Sequence, residues 1–227
     1  MTTEEADLTR LLASAGVLET IIPALAQYGA RLLATNRNVN LTGAKSPEEL
    51  APHLVDCLTV APYITGPLVD VGSGGGLPAV PLAIATGVDV TMIESTTKKV
   101  RFLQETIADL GLAGRAIAER AEVAGHDPSL RGQFKSGTAR AVSSAPTVLE
   151  LVLPFLSPGG LGVFQRAAFE PGERNAAEDA ALVLGAILEA EVPLEGERRI
   201  LLVRKTGETT LRFPRRVGIP EKRPLCT

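Results

Sequence analysis

The feature that most narrows what this chain can fold into is the run Leu68-Val69-Asp70-Val71, which opens directly into Gly72-Ser73-Gly74-Gly75-Gly76 and then Leu77-Pro78. A short, mostly apolar run bounded by turn residues reads as a buried strand, and the glycines as a tight turn at its C-terminal end. Leu77 to Thr86 reads as the helix that leaves the turn, with Pro78 tolerated near its first turn. Glycine lets a backbone adopt positive φ and approach a ligand closely. The helix behind such a loop offers free N–H groups to an anionic moiety. Ligands of open α/β sheets gather at the C-terminal ends of the strands.

The segments on either side fit the same architecture. Residues 4 to about 38 show helical spacing, with Gly16 separating two helices, and Asn36, Asn38, Asn40 and Gly43 then form a polar turn. Ser46 as N-cap, Pro47 at the first helical position and two glutamates start another helix, which runs to about Ala61 and carries His53 and Asp56 at i, i+3. Beyond the glycine loop the spacing predicts strands at Val88–Glu94, 115–118, 138–142 and Gly160–Gln165. It predicts helices at Thr97–Leu110, Pro146–Leu156 and 172–190. Glu191–Leu194 and Arg199–Arg204 are expected to close the sheet as a hairpin. Strands alternating with helices imply an α/β fold, mostly a parallel sheet covered on both faces, with a terminal antiparallel hairpin and an N-terminal helical layer. The expected division is a helical layer over 1–63, a core over 64–206 and a basic arm over 207–227, all in one structural domain.

Composition limits the function classes. With 227 residues, 45% hydrophobic and 22% charged, the chain is neither disordered nor collagen-like. Its longest uncharged stretch, Val71 to Val88, is 18 residues long but holds five Gly and two Pro, which suits no membrane span. The first residues, MTTEEADLTR, are acidic where a secretory signal needs a positive start. Cys57 and Cys226 stand far apart, and the two histidines, His53 and His126, have no cysteine cluster beside them, so no metal is expected. A soluble, reduced, cytoplasmic protein follows, expected to be a monomer.

Two cofactor classes use a glycine loop of this kind. The dinucleotide fingerprint GxGxxG needs a third glycine where Leu77 stands. What is present is Asp70-x-Gly72-x-Gly74-x-Gly76, with an acid that would repel a pyrophosphate but suits an ammonium or sulfonium group. S-adenosylmethionine carries both. Glu94, ending the next strand, is placed to accept hydrogen bonds from two ribose hydroxyls, a feature that both cofactor classes share.

The ordered set of motifs also resembles the RsmG (GidB) family, bacterial methyltransferases that modify N7 of a guanine in 16S ribosomal RNA. The resemblance covers Asn40-Leu41-Thr42, His53-Leu54-Val55-Asp56, the glycine loop through Leu82, and Lys99-Val100-Arg101-Phe102-Leu103. It continues through Arg120-Ala121-Glu122, Ala139-Arg140-Ala141 and the tail Phe213-Pro214-Arg215-Arg216-Val217-Gly218-Ile219-Pro220. It implies a Rossmann-like S-adenosylmethionine-dependent fold in which Gly72 and Leu77 line the cofactor site. Ala121 and Glu122 would lie beside the adenine, with Arg140 also at the cofactor. With Asp70, Gly74 and Glu94 these make the expected cofactor set. The chain departs from the family at Pro52, where a basic residue is usual, at Cys57 in place of serine, and at Arg166-Ala167 in place of Lys-Gly.

Guanine N7 has its own lone pair and loses no proton on methylation, so a general base is unnecessary. His53 and Arg166 remain candidates at the reacting centre, and His53 with Asp56 equally suits pairing and packing on their helix. An arginine near the base should touch O6 or a phosphate and leave N7 free. Arg140 suits a cofactor carboxylate.

Charge is unevenly distributed. Residues 1–197 hold 14 Lys+Arg against 24 Asp+Glu, whereas residues 198–227 hold nine against two. Such a segment either docks a polyanion or folds back over its own acidic body. Pro214, Pro220 and Pro224 make it an extended arm rather than a helix. With the resemblance, Arg120, Arg166, Arg215, Arg216 and Lys222 are the expected contacts to 16S RNA, within the small subunit or its precursor. A small-molecule methyltransferase would have no use for the basic tail, and a non-catalytic ribosome or RNA binder would have none for the Asp70 loop.

Overall fold

The computed structural model describes residues 1–140, 143–167 and 169–226. Its frame is a seven-stranded sheet in the order β3-β2-β1-β4-β5-β7-β6. The strands are β1 (Leu68–Val71), β2 (Val90–Glu94), β3 (Gly114–Ala118), β4 (Phe134–Thr138), β5 (Leu156–Arg166), β6 (Ala186–Pro193) and β7 (Arg199–Lys205). The first five pair in parallel, and β7 joins β5 and β6 antiparallel, as the hairpin pattern predicts. Strand order reverses between β1 and β4, which makes a crevice at the C-terminal end of β1.

Side-chain alternation sends each strand into two cores. Leu68 of β1 and Ile200 and Leu202 of β7 join the core beneath the N-terminal helices. Val69, Val71, Leu201 and Val203 join the core on the opposite face. The first core is covered by α1 (Thr3–Ser14), α2 (Ile22–Asn36), α3 (Pro47–Leu58), α4 (Ala79–Thr86) and α5 (Thr97–Leu110). The second lies under α6 (Ala121–Ala124), α7 (Ala145–Val152), α8 (Glu173–Val183) and the C-terminal segment with α9 (Ile219–Lys222). No helix among the described residues is long and apolar enough to cross a membrane.

Local chemistry accounts for the helix ends. Thr2 and Glu5 form a reciprocal capping box on α1, both bonds at 3.2 Å. Ser46 Oγ accepts from the Glu49 N–H, with Pro47 at the first position of α3. Gly111 in the left-handed region ends α5 where the sequence places the stop.

Four expectations need correction. The fourth strand lies at Phe134–Thr138, upstream of 138–142; of that range, Ala141 and Val142 lie outside the described residues. Ser136 of this strand is fully buried, its hydroxyl donating to the Thr65 carbonyl (2.7 Å) and accepting from the Thr65 N–H (2.9 Å). The helix expected over 172–190 stops at Val183, because Gly185 turns the chain at φ +74° and residues from Ala186 join the sheet edge. The helix expected from Thr59 to Ala61 and the α7 extension to Leu156 each give way to short 3₁₀ turns.

The basic arm is a strap folded onto the body, one of the two alternatives that its charge leaves open, and where its prolines predict an extended arm it carries the short helix α9. Phe213 is 1% exposed, and the Arg131 guanidinium donates to the carbonyls of Thr209 (2.6 Å), Thr210 (3.1 Å) and Phe213 (2.9 Å). Arg215 clamps the fully buried Glu150 through its backbone N–H (2.7 Å), Nε (2.9 Å) and Nη2 (2.6 Å). Lys205, also buried, donates to the carbonyls of Leu184, Gly185 and Gly207, and burial pushes its ammonium down to about 8.

Candidate functional site

The glycine loop is held from behind by the helical layer. Tyr28, fully buried in α2, donates its hydroxyl to the Gly75 carbonyl at 2.7 Å. Asn36 binds the N–H groups of Leu41 and Thr42 and donates to the carbonyls of Thr42 and Ala44, which fixes the 41–44 loop. A side chain at Gly75 would lie 2.8 Å from Leu32 Cδ1 and 2.9 Å from the Leu41 carbonyl, so backbone here lies against backbone. Gly72 and Ser73 donate to the Ile93 carbonyl at 2.9 and 3.3 Å, tying the loop to the end of β2.

Two carboxylates flank this loop. Asp70 is 1% exposed; its Oδ1 accepts from Thr138 Oγ at 2.8 Å, and its Oδ2 has no partner among the described residues. Burial pushes this carboxyl up to about 7, against the opposing pull of the Ser73 and Thr138 hydroxyls. A buried carboxylate with one free oxygen attracts a cationic donor. Glu94 accepts from the Gly74 N–H at 3.0 Å and the Thr96 N–H at 2.8 Å, one bond to each oxygen. Each oxygen keeps a further lone pair for a hydroxyl.

Between the ends of β1, β2 and β3 lies a cavity of about 150 Å³ lined by Gly72, Glu94, Ser95, Arg120, Ala121 and Glu122. Of the residues singled out from the sequence, Gly72, Glu94, Arg120, Ala121 and Glu122 meet here. Asp70 and Gly74 lie directly behind, bonded as described, and Leu77 is half-buried where the loop enters α4. Arg120 is exposed, its Nε 3.7 Å from Glu122 Oε2.

The remaining candidates fall elsewhere. Arg140, His53 and Arg166 line a separate cleft of about 600 Å³ with Asp56, Gln165 and Arg198. Arg140 does not line the smaller cavity; its Nη2 contacts Asp56 Oδ2 at 2.9 Å and His53 Nδ1 at 3.4 Å. His53 and Asp56 therefore both face Arg140 rather than pairing with each other. Asp56 Oδ1 also holds Arg198 from the β6–β7 turn. Arg166 is committed to Glu173 and the Ser143 carbonyl, both at 2.5 Å, so its charge is largely neutralised within the chain. Arg215, expected on RNA, is withdrawn by its buried pairing with Glu150, while Arg216 and Lys222 stand exposed on the strap. Cys57 is fully buried, and burial pushes its thiol up to about 12.

Thr138, Thr147 and Arg198 were missed at the sequence level. Thr138 faces Asp70 only through the β1–β4 register, and Arg198 reaches Asp56 across the whole fold. No local pattern marks either.

Comparison with known proteins adds to this geometry. A family model described as GidB, rRNA small subunit methyltransferase G, matches residues 21–201. The Ribosomal RNA small subunit methyltransferase G of Rubrobacter xylanophilus is 39% identical over 211 residues, covering 86% of this chain and 81% of the relative. That of Leuconostoc mesenteroides is 34% identical over 234 residues, covering 96% and 98%. Among solved structures, the ribosomal protein L11 methylase of Lactobacillus delbrueckii superposes with a TM-score of 0.52 at 15% identity, covering 69% of this chain and 79% of its own. That likeness concerns the Rossmann-like fold.

Proposed function

Because the chain belongs to the rRNA small subunit methyltransferase G family, whose S-adenosylmethionine-dependent members act on small-subunit ribosomal RNA, we propose that it methylates N7 of a guanine in 16S RNA. The observation that carries the site assignment is the meeting of Gly72, Glu94, Ala121 and Glu122 around one cavity, two residues on from Asp70, whose Oδ2 has no partner among the described residues.

The residues present fit the cofactor. Asp70 offers a buried, partly satisfied carboxylate to a cationic amino or sulfonium group, and Glu94 offers two oxygens to a ribose diol. Gly72, Gly74 and Leu77 form the loop over which the cofactor lies, and Ala121 and Glu122 flank its adenine. When bound, S-adenosylmethionine supplies an electrophilic methyl group on a sulfonium.

What remains for the chain is positioning and exclusion of water. Guanine N7 attacks with its own lone pair and releases no proton, so neither His53 nor Arg166 need act as a base. In the cleft between α3 and the end of β5, Arg140 and Arg198 face the base O6 or a phosphate, with His53 and Asp56 orienting Arg140. Arg166 supports this rim by holding the backbone at Ser143. Arg120, Arg216 and Lys222 contact the RNA backbone outside the cleft. The enzyme acts as a cytoplasmic monomer on the subunit or its precursor.

Methyl-labelled S-adenosylmethionine and small subunits from cells lacking the enzyme test this directly. Label at a single guanine, cleavable as N7-methylguanine, is expected. Cofactor binding without transfer to any small-subunit RNA would overturn the substrate assignment.

A further inference from the structure

The smaller cavity has a wall that comes from the far end of the chain. Besides the β2 and β3 ends, it is lined by Thr147 of α7 and by Pro220 and Glu221 of α9. Three contacts hold this wall. The Gly218 N–H donates to Glu122 Oε1 at 2.8 Å, so an expected adenine neighbour is itself a partner of the strap. Thr147 Oγ donates to the Pro220 carbonyl at 2.9 Å, a buried bond. Just upstream, Arg215 grips Glu150, one turn beyond Thr147 on the same helix. At about 150 Å³ the cavity is smaller than the roughly 300 Å³ at the low end of small-molecule sites. It therefore takes one end of a ligand, with the rest over the open glycine loop.

We propose that the C-terminal strap, Phe213–Arg223, is a structural part of the cofactor site, with Pro220 and Glu221 forming the outer wall of the nucleoside cavity and the Gly218 N–H tying that wall to Glu122. This rests on the assignment of that cavity to the nucleoside end of S-adenosylmethionine. A nucleoside seated between the β3 end and α9 touches both walls, so it binds the docked strap and not the undocked one. Ligand binding and strap docking are then one linked equilibrium, in which each stabilises the other. The strap's contribution to the reaction is thus made through the cofactor, independently of any RNA contact by its outward cations.

Hydrogen exchange on the full-length protein with S-adenosylhomocysteine as probe tests the linkage. At ligand about ten times its dissociation constant, opening that is incompatible with the bound state slows roughly tenfold. That slowing is expected in amides 215–222 as well as in 72–76 and 119–123. Slowing at 72–76 with unchanged exchange at 215–222 would overturn the proposal while leaving the site assignment intact. No slowing at either place would overturn both. As a second measurement, Thr147→Val removes one buried bond to the strap and is expected to weaken S-adenosylhomocysteine about 2- to 10-fold while the protein still melts cooperatively. An affinity equal to the wild type would count against the wall.

Discussion

Asp70 is a buried carboxylate that the described residues of the fold satisfy at only one of its two oxygens. Its carboxyl titrates near 7 in the folded chain, against an ordinary value of 3.8. Between those values the unfolded chain releases a proton that the folded chain keeps, so stability falls as pH rises and the loss is complete above about 7. Asp70→Asn is therefore expected to be more stable than the wild type at pH 8, by a few kcal/mol at most, with the gap closing near pH 4. Urea titrations at the two pH values measure this, and the same variant should bind S-adenosylhomocysteine more weakly. The glycines of the loop divide by role. A methyl at Gly76, where φ is +96°, would lie 2.7 Å from Val80 Cγ2, 3.1 Å from Leu103 Cδ2 and 3.2 Å from the Tyr28 hydroxyl. At Gly74, where φ is +55°, it would meet nothing nearer than 3.9 Å. Gly76→Ala should thus cost roughly 2–4 kcal/mol from strain and overpacking, and Gly74→Ala only about 1. Comparable losses in thermal melts would contradict this division. Asp70 and Glu94 were legible in the sequence because each sits at a strand end beside a recognisable turn. Thr138 was not, because it reaches Asp70 from 68 residues away through strand register.

Among the elements, those with a local stop or start signal could be read closely: β1 between Pro67 and Gly72, α5 ending at Gly111, α3 starting at Ser46-Pro47. The misjudged ones owe their form to tertiary partners. Strand β4 is built from Lys135, Ser136 and Gly137, whose polarity and flexibility argue against a strand until Ser136 finds Thr65 and Gly137 lies against Val152. The Ala-rich run after Gly172 keeps helical spacing past Val183, and only Gly185 and the edge of β7 decide its end. Helix α2 and the glycine loop meet through one hydroxyl. Tyr28→Phe leaves the Gly75 carbonyl without its partner and should cost about 1–3 kcal/mol in denaturant titrations. The grip of the strap on α7 is stronger. Arg215→Ala strands a fully buried Glu150 carboxylate and should cost about 3–5 kcal/mol, far more than removing the exposed Arg216.

At the scale of the molecule, the charge split seen in the sequence resolves into two populations. Arg198, Arg199, Arg204 and Arg215 pair with acids of the body, and Lys205 is capped by carbonyls. Arg212, Arg216, Lys222 and Arg223 make no ion pair among the described residues, so the unpaired positive charge of the C-terminal segment stands on exposed residues of the strap. Binding to small-subunit RNA should therefore weaken steeply with salt, and Arg216→Ala with Lys222→Ala should flatten the log–log slope by about two. A slope unchanged in the double variant would place the RNA contacts elsewhere. Composition revealed that the C-terminal segment was basic, but which of its cations were free depended on partners up to 142 residues distant.

The strap also sets an order of events in the life of the chain. Synthesis runs from the N-terminus, and domains begin to form as they emerge. The helical layer, the glycine loop and strands β1 to β5 all precede the strap; Phe213 enters the second core, Arg215 reaches Glu150 and Pro220 reaches Thr147 only once residues 213–220 have emerged. A nascent chain that has emerged only as far as β7 therefore holds a nearly finished sheet, while the cavity beside the glycine loop still lacks its wall from Pro220 and Glu221.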